Sequence, residues 1–303
     1  MWCVKINLKQ LEAFVWVADL GSFRKAADRL NTTQPNVSSR IALLEGAMKR
    51  KLMERDAGSV RLTSKGIEML DYARKVLQAA DAFSDAAAEP SLIDGTLRLG
   101  VTEMIVHTWL SDFLKALSTT FPQLHVELTI DLSVNLEREL GARTLDLALQ
   151  NGPFRQQMTG EIPLGDYPLV WVASHGLGLR GTTNPTIEHI AQHPILTHSR
   201  DTRLYTETAA HFGARKDLDV RLVPSSNLAA CLYMTLNGMG VATLPAAMIS
   251  KELNEGDLIQ IHYQWQPDDL EFFARFDADR APSFVAQAAK IAKNMAEIHN
   301  ARG

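Results

Sequence analysis

Residues 22–45, SFRKAADRLNTTQPNVSSRIALLE, read as two short helices joined by a tight polar turn. Ser22 is a good N-cap, and behind it Phe23, Ala26, Ala27 and Leu30 fall at i, i+3, i+4 and i+7, the spacing of one buried helical stripe. Alanines at 26 and 27 leave room for another helix to cross closely. The polar stretch Asn31 to Thr33 breaks this helix, and Thr33 is placed to cap the next, with Pro35 tolerated in its first turn. The second stripe is Val37, Ile41 and Leu44. With those three turned inward, Gln34, Pro35, Ser38 and Ser39 lie at the N-terminal end or on the outer face. A second helix that shows Gln and small polar side chains fits a recognition helix in a major groove.

Upstream, Leu8, Leu11, Val15 and Ala18 predict a first helix that ends at Gly21. Downstream, ERDAGSVRLT (54–63) predicts a turn at Asp56 to Gly58 followed by alternating Val60 and Leu62, with Arg55 and Arg61 close by. That is a two-stranded wing whose arginines reach phosphate or minor groove, or a plain hairpin with solvated arginines. From Ser64 a long helix runs to about Pro90. Leu70, Ala73, Leu77, Ala80, Ser84 and Ala87 alternate in steps of three and four along it, a heptad-like seam or the face of a domain-packing helix.

Charge divides along the chain. Residues 1–63 carry eleven Lys or Arg against six Asp or Glu, a net of +5, and the rest carry 20 against 29, a net of −9, within an overall formal charge of −4. A small basic unit on a large acidic body suits a DNA-binding head. The 303 residues, 46% hydrophobic and 22% charged, suffice for two or three globular domains. Two cysteines, Cys3 and Cys231, exclude a disulfide framework and point to a reducing cytoplasm. Lys5, Lys9, Glu12 and Asp19 interrupt the first twenty residues, so no signal peptide is expected. No apolar run reaches membrane-spanning length.

The stretches NLKQLEAFVWVADLGSFRKAADRLNTTQPNVSSRIALLE, KLMER and VRLTSKG resemble the N-terminal domain of the LysR-type transcriptional regulators over about the first seventy residues. Met48-Lys49 departs from the family's usual Leu-Gly, which bears on how the chain enters the wing. The resemblance implies a winged helix-turn-helix domain at 1–63 with its helix-turn-helix at about 23–42, and a linker helix at 64–90 that pairs into dimers, in a family often tetrameric. It assigns duplex DNA to Thr33, Gln34, Pro35, Asn36, Ser38, Ser39, Arg40, Arg55 and Arg61. Gln34 and Asn36 take adenine edges, Ser38 and Ser39 base or phosphate, and the three arginines backbone or minor groove. Asn36 is a site where the family varies.

Beyond Gly95 strands and helices alternate. Leu97, Leu99 and Val101 form a strand, Trp109 to Leu117 a helix, Val126 to Leu132 a strand, Asn135 to Leu140 a helix and Leu145 to Leu149 a strand. A second set, LVWVAS, PILTH, VRLVP, VATLP and LIQIH, starts near Leu169. This predicts an α/β region in two halves with parallel sheets, the first completed by LEFFARF and a helix from Pro282 to about His299. GTLRLGVTE, LDLAL and NLAACLYMTLNGMGVATLP resemble the LysR effector domain more loosely. The fold class expected is therefore an all-α winged helix-turn-helix head with a long linker helix, then a two-lobed α/β effector domain similar to type 2 periplasmic binding proteins. That domain spans 91–303, lobe I about 95–165 and 267–303, lobe II about 166–266.

An effector is expected at the carboxyl ends of the strands. By resemblance Thr102 and Ser133 face it from one half. From the other come Thr197 to Thr202, including His198, Arg200 and Thr202, and Ser226 or Asn227 at the start of a helix. Arg200 is the countercharge for a carboxylate, so an organic anion is the expected ligand. Glu103, an acid beside a helix N-terminus, either satisfies the local dipole or repels an anion.

Other motifs fail on context. Gly176, Gly178 and Gly181 have GxGxxG spacing, but Thr182, Thr183, Asn184 and Pro185 follow where a helix must open, so no dinucleotide cofactor is expected. His189 and His193 lack the Glu of HExxH and a third ligand, which leaves no metal site. Cys231 sits among Leu228, Ala229, Ala230 and Leu232 as a packed thiol, and no GxSxG is present. The expected protein is a regulator that catalyses nothing and binds DNA, a small molecule and its own copies. The alternatives are a ligand-binding module without regulatory output and an α/β enzyme with an accessory DNA-binding domain.

Overall fold

The computed structural model describes residues 6–56, 59–87, 93–179 and 184–301. Three helices open the chain: α1 (Leu8–Leu20), α2 (Phe23–Arg29) and α3 (Gln34–Met48). Asn7 caps α1 and accepts from the Gln10 amide, while the Gln10 side chain accepts from the Asn7 amide. Gly21 closes α1 in the left-handed region at φ 61°. Ser22 caps α2 by accepting from the Lys25 amide. Thr33 stands at the N-cap of α3 without a side-chain capping bond, so the pre-set φ of Pro35 is what favours the first turn.

The head's core joins Phe14, Val17, Phe23, Ala26, Ala27, Val37, Ile41 and Leu44. Of the expected stripe on α1, Val15 is buried and Leu11 and Ala18 pack against the core, while Leu8 is 45% exposed; Gln10, Ala13, Phe14 and Val17 are buried as well. Polar Gln10, held in its capping box, hides this second i, i+3, i+4, i+7 face from an apolar pattern. The hairpin β1 (Met53–Asp56) and β2 (Ser59–Leu62) pairs Met53 with Leu62 and Glu54 with Arg61. The turn expected at Asp56 to Gly58 falls largely on Ala57 and Gly58, outside the described residues.

Glu45 holds the hairpin to α3. Its buried carboxylate accepts from the Leu52 and Met53 amides at 2.8 and 3.2 Å and from Lys51 Nζ at 2.7 Å. Burial pushes its pKa up, but these hydrogen bonds outweigh that and leave it below the ordinary value.

The long helix α4 (Ser64–Ala87) docks on the head. Leu70 and Ala73 are buried in the head's core, and Leu77 packs against it. Arg74 bridges to Asp19 on α1 at 2.6 Å. The first three positions of the expected seam thus pack against the head of the same chain, as a domain-packing helix does. Among the described side chains of α4, the large apolar ones that are exposed are Ile67, Tyr72, Val76 and Phe83, the last 77% exposed. Ser84 and Ala87 have side chains outside the described residues, as has Pro90.

The second unit opens with β3 (Gly95–Val101), α5 (Glu103–His107), α6 (Leu110–Thr120), β4 (Leu124–Ile130), α7 (Ser133–Gly141), β5 (Leu147–Asn151) and β6 (Gly160–Tyr167). The chain then crosses into β7 (Leu169–Ser174), α8 (Ile187–Ala191), β8 (Ile195–His198), α9 (Arg203–Gly213), β9 (Leu222–Ser225), α10 (Leu228–Leu236), β10 (Val241–Pro245), α11 (Ser250–Glu255) and β11 (Leu258–Ile261). It returns as β12 (Leu270–Phe276) and α12 (Ser283–Asn300).

Two five-stranded sheets result, ordered β4-β3-β5-β12-β6 and β11-β7-β10-β8-β9. Both are mixed, which corrects the expectation of parallel sheets. β12 runs antiparallel to β5 and β6, and β7 antiparallel to β10 and β11. Each is the first strand after a crossing, so it starts at the interlobe side where its neighbours end. Sequence patterning also missed β6, an edge strand interrupted by Pro163 and by Gly165 at φ 100°.

Candidate DNA-binding surface and effector cleft

On α3, Val37, Ile41 and Leu44 face the core, and the opposite face follows from helical geometry. Thr33, Gln34, Pro35, Asn36 and Ser39 are exposed, and Ser38 and Arg40 are half-buried. Asn36 Nδ2 donates to Thr32 Oγ1 at 3.2 Å, a partner the sequence did not single out. Arg61 is exposed on β2, while the side chain of Arg55, on β1, lies outside the described residues. The helix N-terminus thus presents amide and hydroxyl groups, a surface suited to a duplex.

In the second unit the strand ends of the two lobes line one cavity of about 1260 Å³. All eight expected residues, Thr102, Glu103, Ser133, His198, Arg200, Thr202, Ser226 and Asn227, border it. Thr197 does not, and instead accepts from Cys231 Sγ through its carbonyl. Three of the eight do structural work. Ser133 Oγ donates to Asn151 Oδ1 at 2.8 Å and accepts from the Asn151 amide, Thr202 caps α9, and Asn227 caps α10.

Glu103 differs from the first expectation in which helix it serves. It satisfies a helix dipole, but that of α10 in the opposite lobe: Leu228 N donates to Oε2 at 2.6 Å and Ala229 N to Oε1 at 3.0 Å. Arg200 is exposed, donates to the Tyr205 hydroxyl at 2.6 Å and lies over that ring. Thr102 Oγ1 and His198 Nε2 are buried with no hydrogen-bond partner in the protein. Burial pushes His198 down to about 4, against a backbone hydrogen bond at Thr243 and the nearby Glu103, so the ring is neutral at physiological pH.

Sequence reasoning missed Asn151, Asp131, Phe154, Arg203 and Glu207 among the lining residues. Asn151, at the carboxyl end of β5, was within reach of the strand-end rule that selected Thr102. Arg203 is engaged by Glu207 and by the Asp268 and Asp269 carbonyls.

The remaining motifs have structural explanations. His189 Nδ1 accepts from the Thr186 amide at the start of α8. Gly176 and Gly178 sit in a short turn after β7, and Gly181, Thr182 and Thr183 lie outside the described residues. Among the described residues no three His, Cys, Asp or Glu side chains are grouped to hold a metal ion. No described helix is long and apolar enough to cross a membrane.

A winged helix-turn-helix head and a two-lobed α/β domain with a polar cleft define the class of ligand-responsive DNA-binding regulators. The profile of the bacterial regulatory helix-turn-helix protein, lysR family, matches residues 8–67, and that of the LysR substrate binding domain matches residues 91–290. The chain belongs to the LysR family of transcriptional regulators and is not an enzyme. It is similar to a probable hydrogen peroxide-inducible genes activator of Mycobacterium avium, 30% identical over 254 residues, 82% of this chain and 80% of that protein. The HTH-type transcriptional regulator CzcR of Bacillus anthracis is 26% identical over 299 residues, 97% of this chain and 98% of that protein. In fold it is similar to a full-length OxyR variant of Pseudomonas aeruginosa, with TM-score 0.66 and 19% identity over 97% of this chain and 95% of the other.

Proposed function

We propose that this regulator works in the cytoplasm as a homo-oligomer whose paired heads bind two half-sites, and that a small molecule in the interlobe cleft changes how the heads are presented. The division of labour is a DNA-binding domain at 1–63, a dimerising linker at 64–90 and an effector domain at 91–303. In the head, Gln34 and Asn36 address base edges, Ser38 and Ser39 base or phosphate, and Arg40, Arg55 and Arg61 the backbone or minor groove, with Thr33 and Pro35 setting the start of α3. The pairing face of α4 is Tyr72, Val76 and Phe83, since Leu70, Ala73 and Leu77 are taken up by the head. The observation that carries the effector reading is the cleft itself, bordered by polar groups from both lobes, two of them buried and unpartnered.

A thiol-based peroxide response, suggested by the name of the Mycobacterium avium relative, is the weaker reading. Cys231 is buried and burial pushes its thiol pKa up, the opposite of a reactive thiolate. Cys3 lies outside the described residues.

A thermal-shift screen of small metabolites of every charge class tests the cleft. The expected hit stabilises the full-length protein and loses its effect in Thr102→Val. A hit that stabilises both proteins equally places the site elsewhere.

A further inference from the structure

We propose that the effector presents an ammonium or other N–H donor to Glu103, His198 and Thr102, and that a carboxylate is excluded from this part of the cleft. The proposal rests on the reading that the cleft holds the effector, and adds the ligand's chemical class.

The first observation is where the protein's own carboxylate sits. Glu103, the first residue of α5, reaches across to α10 and accepts from the Leu228 and Ala229 amides. Free amides at the start of a nine-residue helix beside a cleft are a natural seat for an incoming anion. Here that seat is occupied by a tethered one. A ligand carboxylate entering the same place meets a like charge and finds the amides engaged. An ammonium meets an opposite charge whose oxygens retain lone pairs after accepting one amide each.

The second observation is independent of that helix. Thr102 and His198 border the same cavity and are only 7% and 9% exposed, and their buried Oγ1 and Nε2 atoms have no hydrogen-bond partner in the protein. Burial keeps the imidazole neutral. One of its nitrogens hydrogen-bonds the backbone of Thr243, and Nε2 is the one without a partner. With the ring proton donated to that backbone, Nε2 is an acceptor awaiting a donor. Glu103, His198 and Thr102 thus add acceptor capacity, and no fixed cation, to this part of the lining.

Among the described residues, four basic side chains besides His198 border the cavity: His107, whose Nε2 lies 3.6 Å from Glu103 Oε1, exposed Arg155, and Arg200 and Arg203. Arg203 is engaged by Glu207 and two carbonyls, and Arg200 by Tyr205 at the exposed margin. The expected carboxylate at Arg200 therefore gives way to a donor group deeper in the cleft.

The test measures the melting temperature of the full-length protein with butylamine, 1,4-diaminobutane and butylguanidine, against butyrate and succinate, all at saturating millimolar concentration. The amine-class probes are expected to raise the wild-type Tm by about 2–4 °C and the carboxylates to leave it unchanged. Glu103→Gln should abolish the amine shift. Glu103→Ala, which frees the Leu228 and Ala229 amides, should confer a comparable shift with succinate. Two results overturn the proposal: no amine-class shift in the wild type, or one that persists undiminished in Glu103→Gln. A carboxylate that stabilises the wild type but not Thr102→Val also overturns it, while leaving the cleft as the effector site.

Discussion

Lys49 closes α3 in the left-handed region at φ 52°, its amide directed to the Glu45 and Gly46 carbonyls. A side chain there costs roughly 1–2 kcal/mol that glycine avoids, less the extra freedom glycine has when unfolded. The departure seen in the sequence at Met48-Lys49 therefore has a physical cost rather than a new conformation: the chain turns into the wing as a glycine would. Lys49→Gly should raise the unfolding free energy by about 0.5–1 kcal/mol in urea titration; a decrease would show that the Lys49 side chain contributes more than the strain removes. Gly66, in the SKG part of the wing motif, shows the converse. A Cβ at that position would overlap the Leu52 carbonyl oxygen, so the first turn of α4 approaches the chain before the wing as closely as backbone allows. Spacing alone does not reveal such a requirement, because it depends on a residue fourteen positions away.

At the scale of elements, α2 and α3 were legible because their stripes, Phe23-Ala26-Ala27 and Val37-Ile41-Leu44, are apolar and face one core. α4 was legible as a helix but not in its partner. Its heptad-like seam reads the same whether it meets a second copy or the chain's own α1, and only the packed structure shows Leu70 and Ala73 within the head's core. The consequence divides two substitutions on one helix. Leu77→Glu places a charge against the head's core and should lower the stability of the head itself. Phe83→Glu, at a position 77% exposed, should leave that stability within about 0.5 kcal/mol while weakening self-association. Analytical ultracentrifugation with parallel urea melts separates them; a Phe83→Glu protein as tightly associated as the wild type removes this face of α4 from the interface.

At the scale of the whole molecule, the division into a basic head and an acidic α/β body was open to reading from charge and periodicity. So was the gathering of strand ends, since residues following strands of one sheet share an edge wherever they fall in sequence. What the pattern did not carry is direction. β7 and β12 have the same alternating apolar character as their neighbours, and their antiparallel course follows from the two crossings between lobes. Nor did it carry the pairing of Glu103 with the α10 amides, a contact across 125 residues set by how the lobes meet. The central claim is that this chain reads a symmetric operator through the exposed N-terminal end of α3. It is tested most directly by selecting sites from a random duplex library with the full-length protein and with Gln34→Ala. The account predicts a dyad-symmetric motif for the wild type, its half-sites about 10 base pairs or a multiple apart, and loss of preference by about 1–3 kcal/mol at one position in each half-site for Gln34→Ala. Enrichment of no motif, or a motif unchanged in Gln34→Ala, would contradict it.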